Sequence, residues 1–142
     1  MGVAWVEEAL VAAIQAFLEK DKSAWDRLFR KSGPLSSLSA KIDLARLLGM
    51  TSNAISSDLH ILREVRNEFA HSLFDKDNAS LSFITPRIKD KCLALRCIRH
   101  ESNTEPRTVF ISACAMLNSD FYMHEFFGVP LVDGGRVTVY GE

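Results

Sequence analysis

Ile55, Leu59, Leu62 and Phe69 recur at helical spacing through a charged stretch, and Arg66 falls among them. At about 100° per residue these positions share one face of a helix, so the pattern commits the segment to an amphipathic helix with a cation in its apolar stripe. A guanidinium on a core-facing stripe needs a carboxylate, a backbone carbonyl or a ligand as partner. The run from Leu59 to His71 is therefore the stretch around which the chain is expected to be organised, with the remainder serving as scaffold.

Similar periodicity recurs on both sides. Val3, Val6, Leu10, Ala13, Ile14 and Phe17 predict a helix over about residues 3 to 20, with Glu7, Glu8, Gln15 and Glu19 largely on its other faces. Asp21 or Ser23 can cap a short helix through Trp25, Leu28 and Phe29, ended by Ser32-Gly33-Pro34. Ser36 or Ser37 can cap a third through Leu38, Ile42, Ala45 and Leu48, with Gly49 at the left-handed stop. Thr51-Ser52-Asn53 opens the focal helix, which is expected to run to about Ala70. Thr85-Pro86 starts a helix through Ile88, Cys92 and Leu95, expected to end near Arg99-His100. After a polar break, Phe110, Cys114, Leu117, Phe121 and His124 mark a last long helix.

The fold class is therefore all-α: a single bundle of about five or six helices over residues 1–127. Residues 128–142 form a C-terminal tail whose β-branched run and Asp133-Gly134 signal suggest a short hairpin or an extended arm. At 142 residues, 47% hydrophobic and 25% charged, the chain suits one ordinary globular domain. A formal net charge of −1 removes the general attraction for phosphate that most nucleic-acid binders carry, so any such contact must be local. Arg87, Lys89, Lys91, Arg96 and Arg99 point several ways at helical spacing and read as a solvated surface.

Cys92, Cys97 and Cys114 are odd in number and lack CxxC spacing, which predicts reduced, mostly buried thiols in a cytoplasmic protein. Glu7, Glu8 and Gln15 interrupt the first apolar run, so neither a signal peptide nor a membrane span is expected. The first helix begins almost at residue 1, which leaves room for a longer natural chain. Asp75-Lys76-Asp77-Asn78 fails as a calcium loop, because Ser80 stands where glycine is wanted and Pro86 where the bidentate glutamate is wanted. No metal or cofactor is expected.

Arg66, Asn67 and His71 bring a fixed cation, an amide and an imidazole within two turns. As candidate catalytic residues they suit metal-independent phosphodiester cleavage: His71 would move a proton and Arg66 would stabilise charge developing on phosphate. Five helical steps, however, set His71 about 140° round from Arg66 and about 7.5 Å along the axis. Convergence requires the helix to end before His71 or a second subunit to supply half the site, which favours a homodimer. A purely structural reading instead pairs Arg66 with Asp43, Asp58 or Glu68, and lets Asn67 and His71 bond the helix end and following loop.

The block Gly33 to Gly49 (GPLSSLSAKIDLARLLG), followed by Asp58-Leu59-His60 and Ile61 to Ser72 (ILREVRNEFAHS), resembles the mannitol operon repressor family of small all-helical bacterial proteins. Ala4 to Leu10 is similar to that family's first helix. The resemblance implies an intracellular regulatory or interaction protein. Because no Gly-turned helix pair precedes a basic recognition helix, a protein partner is expected in place of direct DNA binding. Arg66-Asn67 with His71 also resembles the Arg-x4-His motif of higher eukaryote and prokaryote nucleotide-binding (HEPN) domains, many of which are homodimeric endoribonucleases of toxin or defence systems and others non-catalytic RNA- or partner-binding forms. That resemblance implies the alternative function, with RNA as substrate. A third reading is an antitoxin-like structural partner.

Overall fold

The computed structural model describes residues 2–73, 81–101 and 103–127, with the side chains of residues 125–127 excepted. The expected tail hairpin and the Asp75–Asn78 turn lie outside the described residues. Six α-helices follow one another: α1 (Gly2–Phe17), α2 (Lys22–Phe29), α3 (Leu38–Leu47), α4 (Asn53–Ser72), α5 (Pro86–Leu93) and α6 (Pro106–Phe127). The described chain is an all-α bundle, and none of its helices is long and apolar enough to cross a membrane.

Local chemistry sets the helix starts. Asp21 caps α2 by accepting the Ala24 N–H, Ser37 caps α3 through Ala40, and Ser52 caps α4 through Ile55. Thr85 departs from that pattern: its hydroxyl accepts the Ser82 N–H at 3.1 Å, and Pro86 opens α5 without a side-chain cap. Gly49 ends α3 at φ +75°. Its N–H reaches Arg46 O and the Met50 N–H reaches Ala45 O, the paired bonds of a Schellman stop.

Packing follows the apolar stripes. α1 lies chiefly along α6 and also touches α3 and α4; α3 packs on α4, and α5 bridges α4 to α6. Leu10, Ile14, Ile42, Leu59, Leu117 and Phe121 form the centre of the main core. A satellite cluster joins Val65, Ile88 and Cys92. Phe69, Phe83 and Phe110 extend it as a chain of tilted rings with centroids 5.1 and 5.5 Å apart.

Two helix ends differ from expectation in ways that bear on the site. α5 stops at Leu93 instead of running to Arg99-His100, because the following backbone turns inward and gives its N–H groups to Asp58. α4 continues without interruption through His71 to Ser72, so the helix neither ends nor bends before the histidine.

Candidate functional site

On α4 the wholly buried residues include Asp58, Leu59, Leu62 and Val65. Asp58 and Val65 shift the centre of the buried face away from Arg66 and leave the arginine on its edge, with 38% of its side chain exposed. From that edge Arg66 Nη1 donates to Glu7 Oε2 on α1 at 3.1 Å. The other oxygen of the same carboxylate, Oε1, accepts Lys41 Nζ from α3 at 2.8 Å. Lys41 is nearly enclosed, its side chain 7% exposed, and it also donates to Ser36 O at 3.3 Å.

Three helices thus converge on one carboxylate. The expected partners of Arg66, namely Asp43, Asp58 and Glu68, are corrected to Glu7. Asp43 faces His60 Nε2 at 3.4 Å. Glu68 pairs with Lys91 at 3.4 Å and with Arg87 at 3.4 Å, holding α5 against α4. Asp58 is taken up by the loop after α5, where it accepts the Arg96 N–H at 3.1 Å and the Cys97 N–H at 2.7 Å. Burial raises the Asp58 pKa above its ordinary 3.8, against the opposing pull of those hydrogen bonds.

Asn67 is half-buried and His71 is exposed. With α4 regular across the interval, His71 sits about 140° round from Arg66 and about 7.5 Å further on, so a single chain does not bring the two together. The arrangement as it stands can neutralise Arg66 and lock α1, α3 and α4 to one another; it does not align a proton-transfer group with the guanidinium.

From the sequence alone Lys41 is assigned no role, Glu7 is placed on a polar face, and Asp58 is considered only as a partner for Arg66. A signal for them exists, because Glu7 falls in register with Val3, Leu10 and Ile14, and Lys41 lies between Leu38 and Ala45 on the buried face of α3. Asp58 likewise stands between Ile55 and Leu62. Each is a charge within an apolar stripe, whereas Arg66 sits at the edge of one.

No family model, curated protein or solved structure matches the chain.

Proposed function

We propose that this chain is a non-catalytic regulatory module of the mannitol-repressor type, cytoplasmic and homodimeric, that acts through a protein partner rather than by contacting DNA. The observation that carries this reading is the Glu7 carboxylate shared by Arg66 and Lys41. The cation on which phosphate chemistry would depend already has an internal anion, and the imidazole that would move the proton faces elsewhere. The wider charge pattern agrees with it: two cations of the basic stretch, Arg87 and Lys91, pair with Glu64 and Glu68 on the neighbouring helix.

The second reading, a metal-independent endoribonuclease using Arg66, Asn67 and His71, is favoured by the exposure that Arg66 and His71 retain on one helix. Incubating the purified chain with mixed RNA in chelator separates the two. The regulatory reading expects no cleavage above background from the wild type, Arg66→Ala or His71→Ala. Cleavage that disappears in both variants would replace it with the endoribonuclease. For the partner, affinity capture from the native cell should return one stoichiometric protein, whereas tight, salt-sensitive binding of the isolated chain to a single operator would contradict the indirect mechanism.

A further inference from the structure

The outward side of α6 is unlike a solvated helix. No charged residue occurs between Arg107 and Asp120, and the exposed residues along that interval are Thr108, Ile111, Ala115 and Ser119, spaced so that they form one stripe. Tyr122, 39% exposed, continues it. A helix that meets only water normally carries charge on its outer face, and charge depletion with aromatic residues is the compositional mark of an interface centre.

Beside this stripe, α1 presents Trp5 with 59% of its surface exposed, and Ile111 opposite is 50% exposed. Between them lies a recess of about 360 Å³ lined by residues including Gly2, Trp5, Ile111, Cys114, Ala115 and Asn118. Gly2 permits the close approach of the two helices there, since a Cβ at that position would lie 3.3 Å from both Cβ and Sγ of Cys114. A cavity of about 150 Å³ already holds benzene, so this recess is roomy enough for an aromatic side chain.

We infer that the α1/α6 face is the self-association surface of this protein, each copy seating Trp5 in the recess of the other. The occupant is a second copy because the face carries the projection and the receptacle side by side. A two-fold axis between two such faces satisfies both at once, as an isologous interface requires. The absence of charge along the α6 stripe points the same way: it gives an oppositely charged partner nothing to select there, and two such stripes meet without repulsion, the exposed charge nearest Trp5 on α1 being Glu8, one turn away. The neutral stripe is about 20 Å long, and two adjacent helices make it about 20 Å wide. Two copies therefore cover on the order of 800 Å² in projection, below the ~1,200 Å² at which stable specific interfaces begin and in the range of weak, transient ones, so the dimer is concentration-dependent with Trp5 as its anchor.

Trp5 and Glu7 lie about 160° apart round α1, so a dimer formed on the Trp5 side leaves the Glu7–Arg66 pair of each copy outside the interface. The second copy does not complete an Arg66/His71 site. The inference rests on the reading of the chain as a homodimeric interaction module, but the two fail separately: Arg66-dependent RNA cleavage overturns that reading, and sedimentation overturns this one.

The experiment is sedimentation of the full chain from about 1 to about 100 µM, with Trp5→Ala, Ile111→Glu, Arg66→Ala and His71→Ala alongside. Wild type, Arg66→Ala and His71→Ala should dimerise alike. Trp5→Ala and Ile111→Glu should weaken dimerisation by about thirty-fold or more, the loss expected from disrupting a central anchor, with helical content by circular dichroism unchanged. A wild type that stays monomeric throughout the range overturns the inference. So does a dimer that survives both face variants, or one that is lost only on changing Arg66 or His71. A monomer that retains a bound small molecule, released on Trp5→Ala, would assign the recess to a ligand and overturn it equally.

Discussion

Asp58 accepts the backbone N–H of Cys97 at 2.7 Å from a position with no solvent exposure, and this bond fixes where α5 gives way to the loop that leads to α6. The same carboxylate accepts the Arg96 N–H at 3.1 Å. Truncation to alanine strands two backbone donors in the interior, each costing about 1–3 kcal/mol when unmet. Asp58→Ala should therefore lower unfolding stability by about 2–5 kcal/mol in urea titration. Asp58→Asn retains one acceptor oxygen and should cost less.

The pH dependence carries a definite sign. Burial lifts the folded-state pKa of Asp58 above 3.8, so the folded chain holds this proton more tightly than the unfolded chain does. The contribution of Asp58 to stability is greatest below the unfolded value, declines as pH rises between the unfolded and folded values, and is flat above both. Stability measured for wild type minus Asp58→Asn should thus fall across that window as pH is raised. A difference that grows with pH would contradict the assignment, while the titration of the other carboxylates cancels in the subtraction.

Gly49 offers a test of backbone conformation alone. At φ +75° it closes the α3 stop, and a Cβ built on it meets nothing within 4 Å. Gly49→Ala should cost about 1–2 kcal/mol from the left-handed conformation, with no steric contribution. Gly49→Asn should cost less, since asparagine visits that region more readily. Equal melting temperatures for glycine and alanine would exclude the Schellman stop described for α3.

The three thiols should be slow to react in the native state. Burial pushes Cys92 and Cys114 up to about 11, and Cys97 is pushed up further by burial and by the neighbouring Asp58 carboxylate. Thiolate is the reactive form, so a disulfide reagent at about pH 8 should label the folded chain far more slowly than the urea-unfolded chain. Cys114 should react first because it lines the α1/α6 recess. Protection of Cys114 that increases with protein concentration would accompany the dimer proposed for that face.

The bundle was largely legible from the sequence because its helices advertise themselves: apolar stripes at Val3–Ile14, Leu38–Ala45 and Ile55–Leu62 become the core, and Ser37, Ser52 and Gly49 cap and stop helices as their chemistry predicts. What periodicity could not supply was pairing between distant segments. The α5 helix was expected to continue past Cys97 because local pattern takes no account of Asp58, 39 residues away, drawing the backbone inward. Arg66 stands out among its apolar neighbours for the same local reason, yet the structure sets it at the edge of the buried face, and its partner Glu7 lies 59 residues earlier. A charge within a stripe signals that a partner exists; only the three-dimensional arrangement of stripes names it.

Within the Glu7 cluster the order of the substitution effects matters more than their size. Glu7→Ala leaves Lys41, with a side chain only 7% exposed, dependent on Ser36 O, and it also releases Arg66. Removing one partner of a fully buried pair costs about 3–5 kcal/mol, so this half-open cluster should lose about 2 kcal/mol. Lys41→Met removes the enclosed ammonium together with its desolvation cost and leaves Glu7 paired to Arg66, so it should be milder. Arg66→Ala should be milder still, under about 1 kcal/mol, because the guanidinium is partly solvated and Glu7 keeps Lys41. A double-mutant cycle should accordingly find stronger coupling between Glu7 and Lys41 than between Glu7 and Arg66. The reverse order would mean that Arg66, rather than Lys41, is the cation the bundle depends on for its fold.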